Sequence, residues 1–371
     1  MLIWSINCLL IFLLCVFFAG VVIPQILLDA FRKNMFDVPD ERKIHQGAVP
    51  RLGGIAFKPV MLFSFSLLLG INMLLGHHEV QLEMENDVRA ITFCHCAIIL
   101  LYLTGMADDL VGIRYKAKFV IQILCGIMLI AGGIWMNNFH GLFWIYEIPA
   151  WIGYPLTVLL TVFIINAINL IDGIDGLASG LCGIASLSYG IIFFVMHQYL
   201  YAVLSFAMLG VLVPFFYYNV FGNPEKQRKI FMGDTGSLTI GMMLCALSIK
   251  LFTSVPDHSM INNPMVLAYS PLIIPCCDVV RVFLHRIREG KSPFLPDKNH
   301  IHHKLLAVGM KQRTAMITII FTSFLFTICN IFLSMYVGVT LLLIIDIAVW
   351  TIVNMWLTRK INRNQKIQSG I

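Results

Sequence analysis

Leu156-Thr-Val-Leu-Leu-Thr-Val-Phe-Ile-Ile-Asn166-Ala-Ile-Asn169-Leu-Ile-Asp172-Gly173-Ile-Asp175-Gly176-Leu177 decides how this chain folds. The first half is an unbroken apolar run. The second half, within twelve residues, supplies two Asp, two Asn and two Gly. Carboxylates beside hydrocarbon are expensive, so where they occur they mark function. Hard oxygen ligands with glycine for close backbone approach suit a Mg²⁺–phosphate site. A site at the end of an apolar run places one reactant in lipid.

Working outward, the same kind of run recurs along the whole chain. The 371 residues are 58% hydrophobic and only 12% charged, which no soluble domain of this size requires. With about 20 apolar residues needed per helical span, the runs predict an all-α polytopic bundle of about eleven transmembrane helices. They fall near 3–28, 53–76, 89–107, 119–136, 151–168, 177–196, 199–218, 236–254, 264–283, 314–335 and 337–357. The runs are continuous rather than alternating, which favours helices over a barrel. No repeat, low-complexity tract or second domain interrupts them, so residues 1–371 read as one integral-membrane domain. The first helix has no basic leader and no small-residue cleavage site and reads as a signal anchor.

Of the 26 Lys and Arg, all but four (Lys58, Arg89, Lys250 and Arg281) fall in alternate loops and the C-terminal tail. The loops on that side are about 29–52, 108–118, 169–176, 219–235 and 284–313, of which 169–176 alone carries no Lys or Arg. The positive-inside rule then puts the N-terminus outside and the C-terminus inside. The formal charge of +6 reflects loops facing anionic lipid and substrate, not nucleic acid. The ten cysteines lie mostly in apolar runs, lack zinc spacing, and read as small core residues.

The polar clusters gather on the inside. The outside acids (Glu79, Glu83, Glu85, Asp87, Glu147, Asp257) form no obvious constellation. A transporter would need polar groups along a path and at mid-membrane; convergence on one face argues for an interfacial enzyme. Asp108-Asp109 ends the third helix, where paired carboxylates call for a cation. Asn169, Asp172 and Asp175 are spaced to share one helix face, and Gly173 and Gly176 would break the helix and free N–H groups for phosphate. Phe231-Met-Gly-Asp234-Thr-Gly-Ser237 opens the eighth helix, either as an N-cap or as an anion or metal site. Asn299-His300-Ile-His302-His303-Lys304 has the wrong spacing for zinc and suits phosphate or sugar contact. Pro50-Arg51-Leu-Gly53-Gly54 offers a basic glycine turn for phosphate. Asp346, with Asn330 near it, reads as a bundle-facing structural Asp.

This ordered set resembles the polyprenyl-phosphate N-acetylhexosamine-1-phosphate transferases, a branch of glycosyltransferase family 4. The landmarks are Arg42-Lys-Ile-His45 with Pro50-Arg51-Leu-Gly53-Gly54, Asp108-Asp109, Asn169 to Leu177, Phe231 to Leu238, and Asn299 to His303. The resemblance implies transfer of an N-acetylhexosamine-1-phosphate, GlcNAc-1-phosphate foremost, from a UDP-sugar to undecaprenyl phosphate with release of UMP. That reaction is the first membrane step of O-antigen, capsule, teichoic acid or related glycan synthesis. It implies a bacterial cytoplasmic membrane, a cytoplasmic-face site, and Mg²⁺ with Mn²⁺ as an alternative. Asp234 would be a direct metal ligand with Asp109 close by, and Asp108 the base. Asp172 and Asp175, with Asn169, would organise the nucleotide and pyrophosphate. Asn219 matches the position that contacts uracil; Lys118, Arg51, His300, His302 and His303 would bind phosphate or sugar. The His-Ile-His-His-Lys run, and Gly112 where the muramyl-peptide branch has lysine, separate this chain from that branch; Lys116 or Lys118 supplies the charge instead. The oligomeric state stays open, with a homodimer as one option. A phospho-MurNAc-pentapeptide transferase of peptidoglycan synthesis is the alternative within the family, and an ion-coupled transporter the alternative from another class.

Overall fold

The computed structural model describes residues 1–33, 35, 49–253, 263–290 and 299–368. The Arg42–His45 landmark and Asp257 lie outside the described residues. The helices are α1 (Leu2–Arg32), α2 (Phe57–Leu74), α3 (His78–Val111), α4 (Tyr115–Ala131), α5 (Ala150–Ile171), α6 (Leu177–Val195), α7 (Tyr199–Val220) and α8 (Gly233–Thr253). They continue as α9 (Pro264–Tyr269), α10 (Ile273–Arg288), α11 (Ile301–Ala307), α12 (Gln312–Leu333) and α13 (Val339–Gln368). Between α4 and α5, strands β1 (Asn138–Leu142) and β2 (Ile145–Glu147) pair as an antiparallel hairpin. Among the described residues ten helical stretches are long and apolar enough to cross a membrane. The bundle is thus helical and polytopic, with one small hairpin that the apolar pattern does not announce.

Three boundaries differ from expectation for physical reasons. Helix α3 begins at His78, eleven residues before its apolar run, and this polar start is anchored through Asp87 to Tyr201 and Lys250. The stretch 264–288 is broken into α9 and α10 by a 3₁₀ turn at Ser270–Leu272, where Pro271 has no N–H to donate. Helix α7 continues through Val220, so Asn219 sits in its last turn and not in the loop.

Helix α8 is the axis. It packs against α3 and α5, and nearly all of its residues are buried. Its N-terminus is clamped by the 3₁₀ turn Gly53–Ala56. Gly53 N–H and Gly54 N–H donate to the carbonyls of Phe231 and Met232, each at 2.9 Å, and Phe231 N–H donates to Pro50 O at 2.9 Å. The glycine turn expected to hold phosphate therefore uses these donors as scaffold. A Cβ on Gly54 would lie 2.0 Å from Gly236 N, against rigid backbone. Gly54→Ala is expected to cost about 3 kcal/mol or more, and to displace α8. The check is a fall in detergent-solubilised melting temperature together with lost activity; an unchanged melting temperature would show that the contact yields.

Several charged groups within the spans are paired. Asp346 accepts from Asn330 Nδ2 at 2.8 Å and Tyr269 Oη at 3.2 Å, the bundle-facing arrangement expected of it. Asp87 Oδ1 accepts from Tyr201 Oη at 2.8 Å and Lys250 Nζ at 3.0 Å, with the ammonium 4.5 Å from the Tyr201 ring centroid. Asp87 thus belongs to a constellation after all, one assembled from three helices far apart in sequence. Lys58 Nζ meets His95 Nδ1 at 2.9 Å. All ten cysteines are free; Cys8, Cys15, Cys125, Cys182 and Cys245 are buried core residues, whereas Cys96 and Cys329 are exposed.

Candidate active site

The chain brings Asp108, Asp109, Lys118, Asn169, Asp172 and Asp234 to one end of the bundle. Lys118, in the first turn of α4, is the centre. Its Nζ donates to Asp108 Oδ2 at 2.6 Å and also to Asp234 Oδ2. One ammonium therefore joins the C-terminal end of α3 to the N-terminal turn of α8. Asp108 Oδ1 accepts from Ile113 N–H at 2.7 Å. Asn169, in the last turn of α5, donates to Asp234 Oδ1 at 3.1 Å and Ser237 Oγ at 2.8 Å. Lys116 is exposed, so the charge comes from Lys118.

Asp109 has a different task. Its Oδ1 accepts from Asp234 N–H at 2.8 Å, and its Oδ2 from Thr235 N–H at 2.8 Å and Thr235 Oγ1 at 2.6 Å. It caps α8 from another helix, satisfying N–H groups with no partner inside α8. A carboxylate there also complements the positive end of the helix dipole. Asp234 is thus not the cap; its backbone is capped while its carboxylate faces outward into the site.

The Asn169–Gly176 run does not form one helix face. Helix α5 ends at Ile171 with Asp172 as its C-cap, and Asp175 lies beyond. The glycine N–H groups expected to be free are occupied: Gly173 donates to Ile171 O at 2.8 Å, and Gly176 to Asn219 Oδ1 at 2.6 Å. Asn219 is buried, and its Nδ2 donates to Ile230 O at 2.8 Å. Its amide ties the Asp turn to the segment before α8.

Asp172 makes no hydrogen bond among the described residues. Solvent reaches its carboxylate, yet the walls around it are close enough to desolvate it. That desolvation, then the charges of Asp234 and Asp175, push it up to about 7 against the lowering pull of Arg51. Asp175 instead pairs with Lys229 Nζ at 2.5 Å. Beside this pair opens a cleft of about 430 Å³ lined by Phe221, Asn223, Lys229, Gln312 and Arg313 among others.

The histidine run lands on the Asp turn. His302 lies so close to Gly173 that a Cβ there would sit 2.2 Å from its Nε2; only glycine admits the ring. Both ring nitrogens of His302 are buried without a hydrogen bond among the described residues. Burial, then His303 and His300, push its pKa down to about 3, so it is neutral. His300 and His302 stack at 5.9 Å and 4°, and His302 and His303 lie 4.2 Å apart. Asp278, fully buried on α10, accepts from His300 Nδ1 at 2.8 Å and from Arg281 Nη2 at 2.8 Å. Sequence reasoning passed over Asp278. Its signal was an Asp–Arg pair at i, i+3 inside an otherwise apolar run.

Among the described residues no three His, Cys, Asp or Glu form a closed metal cage. The donor set nonetheless suits Mg²⁺. That ion is usually held by one or two carboxylates with the remaining positions left to water and substrate phosphate. Asp108 and Asp234 already face one cation, the Lys118 ammonium, and Asp172 stands free beside them.

These features define a class: a polytopic helical membrane protein with an acidic, lysine-bridged site at the ends of its spans. Comparison with known proteins narrows it. The model of glycosyl transferase family 4 matches residues 91–252. A probable undecaprenyl-phosphate N-acetylglucosaminyl 1-phosphate transferase of Bacillus subtilis (strain 168) is 33% identical over 316 residues, covering 85% of this chain and 81% of that protein. The undecaprenyl-phosphate alpha-N-acetylglucosaminyl 1-phosphate transferases of Yersinia pestis and Escherichia coli (strain K12) are each 32% identical over 292 residues, covering 78% of this chain and 74% of theirs. The chain belongs to the polyprenyl-phosphate N-acetylhexosamine-1-phosphate transferases of glycosyl transferase family 4.

Proposed function

We propose that this protein transfers GlcNAc-1-phosphate from UDP-GlcNAc to undecaprenyl phosphate, releasing UMP, at the cytoplasmic face of a bacterial inner membrane. The observation that carries the reading is the meeting of Asp108, Lys118, Asn169, Asp172 and Asp234 where apolar helices end. A prenyl tail stays in lipid there while a nucleotide arrives from water. The basic loops on that side support the orientation, and the printed names of the relatives support both substrates.

Phosphoryl transfer asks chiefly for positioning and charge neutralisation. Bound Mg²⁺ supplies Lewis-acid neutralisation of phosphate oxygens, and Asp234 with Asp108 would hold it. Lys118 moves between these carboxylates and the donor pyrophosphate. Asp109 keeps Asp234 in register by holding the end of α8. Both oxygens of Asp108 accept hydrogen bonds, whereas Asp172 has none among the described residues and titrates near neutrality. Asp172 is therefore the better proton acceptor for the lipid phosphate. That demand is modest, because a phosphate monoester with its second pKa near 6 is already largely dianionic at pH 7 (about −1.5 to −2 charge). The cleft beside Asp175 and Lys229 receives the nucleotide, with Arg313 and Asn223 at its wall. Asn219 supports that wall through the backbone. His302 and His303 close over the sugar phosphate.

The test uses purified protein with undecaprenyl phosphate and a panel of UDP-sugars that includes UDP-MurNAc-pentapeptide, with the lipid product identified by mass. A GlcNAc-pyrophosphoryl lipid is expected, with the muramyl-peptide donor nearly unused. Excess EDTA should stop turnover and added Mg²⁺ should restore it. Turnover unchanged in chelator, or equal use of the muramyl-peptide donor, would overturn the reading.

A further inference from the structure

Asp278 lies on α10, outside the acidic centre, yet every contact it makes leads toward the histidine run. Its carboxylate is fully buried. Oδ2 faces His300 Nδ1 at 2.8 Å. Oδ1 takes Arg281 Nη2 at 2.8 Å and Ile301 N–H at 3.1 Å, and the same N–H lies 3.2 Å from Oδ2. Arg281 Nη2 also donates to Asn299 O. Two residues of α10 thus hold the backbone on both sides of His300 and the ring of His300 itself.

An ionised carboxylate only accepts, so Nδ1 of His300 carries the proton and Nε2 is left for chemistry. A carboxylate behind a histidine fixes the tautomer, orients the ring and stabilises its charged form. The oriented ring is the first of a stack. His302 lies parallel to it and against Gly173, next to Asp172. Anything that turns His300 or lifts the start of α11 therefore shifts His302 from the Asp turn.

We infer that Asp278 is a positioning residue for sugar-phosphate transfer, acting through His300 by setting its tautomer and holding the N-terminus of α11 against the Asp172–Gly176 turn. This rests on the transferase reading above and adds a residue to it. The oxygen-bonding pattern makes the substitution Asp278→Asn informative. Arg281 and Ile301 N–H both donate to Oδ1, so an amide must turn its oxygen toward them. Its NH₂ then faces His300 Nδ1, which must accept, and the proton moves to Nε2. Volume and two of the three contacts persist while the tautomer inverts. In serine proteases the equivalent swap behind a catalytic histidine costs about 10⁴ in kcat with geometry intact. Here, where His300 is not the nucleophile's base, a loss of roughly 10²-fold is expected by that comparison.

The experiment has two arms on the full-length protein in detergent or nanodiscs. The first measures kcat and KM for UDP-GlcNAc with undecaprenyl phosphate for wild type, Asp278→Asn, His300→Ala and the double variant. Asp278→Asn should lose roughly 10²-fold in kcat with KM and melting temperature little changed, and the double variant should be no slower than His300→Ala alone. A kcat within about threefold of wild type, or losses that multiply in the double variant, would overturn the inference. The second arm reads the ¹⁵N resonances of His300, which report its tautomer without any substrate. Nδ1–H is expected in wild type and Nε2–H in Asp278→Asn. A wild-type Nε2–H tautomer overturns the inference and needs no variant. If wild type turns over another UDP-sugar but not UDP-GlcNAc, the donor assignment fails alone, and the same comparison is made on the active donor.

Discussion

Asp234→Asn is expected to lower kcat/KM on the order of 10³-fold or more, a loss of about 4 kcal/mol in transition-state stabilisation. The substitution removes one charge and almost no volume. Asn169 can still donate to the amide oxygen, and the helix end stays capped because Asp109 bonds backbone N–H and Thr235, not the Asp234 side chain. The protein should therefore insert, purify and melt like wild type. What is lost is specific. An amide NH₂ turned toward the Lys118 ammonium sets donor against donor, so Lys118 settles on Asp108 alone. The site also loses the carboxylate best placed for a divalent cation, so the Mg²⁺ concentration for half-maximal rate should rise steeply. The measurement is initial rate against Mg²⁺ concentration for both proteins. A variant that keeps a tenth of wild-type activity at ordinary Mg²⁺ would show that Asp234 is not central.

Asp172→Asn is expected to be nearly inactive and yet more stable than wild type above neutral pH. The sign follows from linkage. An Asp with its folded pKa raised to about 7, from an ordinary value near 3.9, holds its proton in the folded state over a range where the unfolded chain has released it. Stability falls as pH rises through that window, and the cost is fully present above about 7. An amide removes the charge and with it the cost. The variant should melt at the same temperature as wild type at pH 4 and higher at pH 8, by about 2–4 °C for each kcal/mol recovered. Activity runs the other way. If the ionised carboxylate accepts the lipid-phosphate proton, wild-type kcat/KM climbs as pH rises through about 7, and Asp172→Asn lacks that limb along with most of the rate. A variant less stable than wild type at pH 8 would mean that Asp172 is a stabilising partner rather than a strained functional group.

Much of the site was legible because carboxylates, amides and glycines at the ends of apolar runs have few structural uses. Asp108, Asp172 and Asp234 were picked out on that ground, and the fold brings them together. The work each does was not legible. Asp109 reads as the twin of Asp108, yet one residue of helical rotation turns it to α8 and makes it a cap. Asn219 reads as a ligand contact and Gly176 as a phosphate donor, yet they bond each other at 2.6 Å. Asp278 shows within its own helix only the Asp–Arg spacing; its partner His300 is 22 residues away.

The class is written in the order of residues along the chain. Run length, the scarcity of charge and the one-sided basic loops specify a helical membrane bundle with its chemistry at one end, because hydrocarbon tolerates little else. Which donor meets which acceptor follows from how the helices pack. Lys118 could have faced either lipid headgroups or substrate from its own loop. It lies between Asp108 and Asp234 because Gly105 on α3 lets the start of α8 come close; a Cβ there would sit 2.5 Å from Thr235 Cα. Such pairings depend on distances between backbones more than a hundred residues apart, and no periodicity along the chain encodes them.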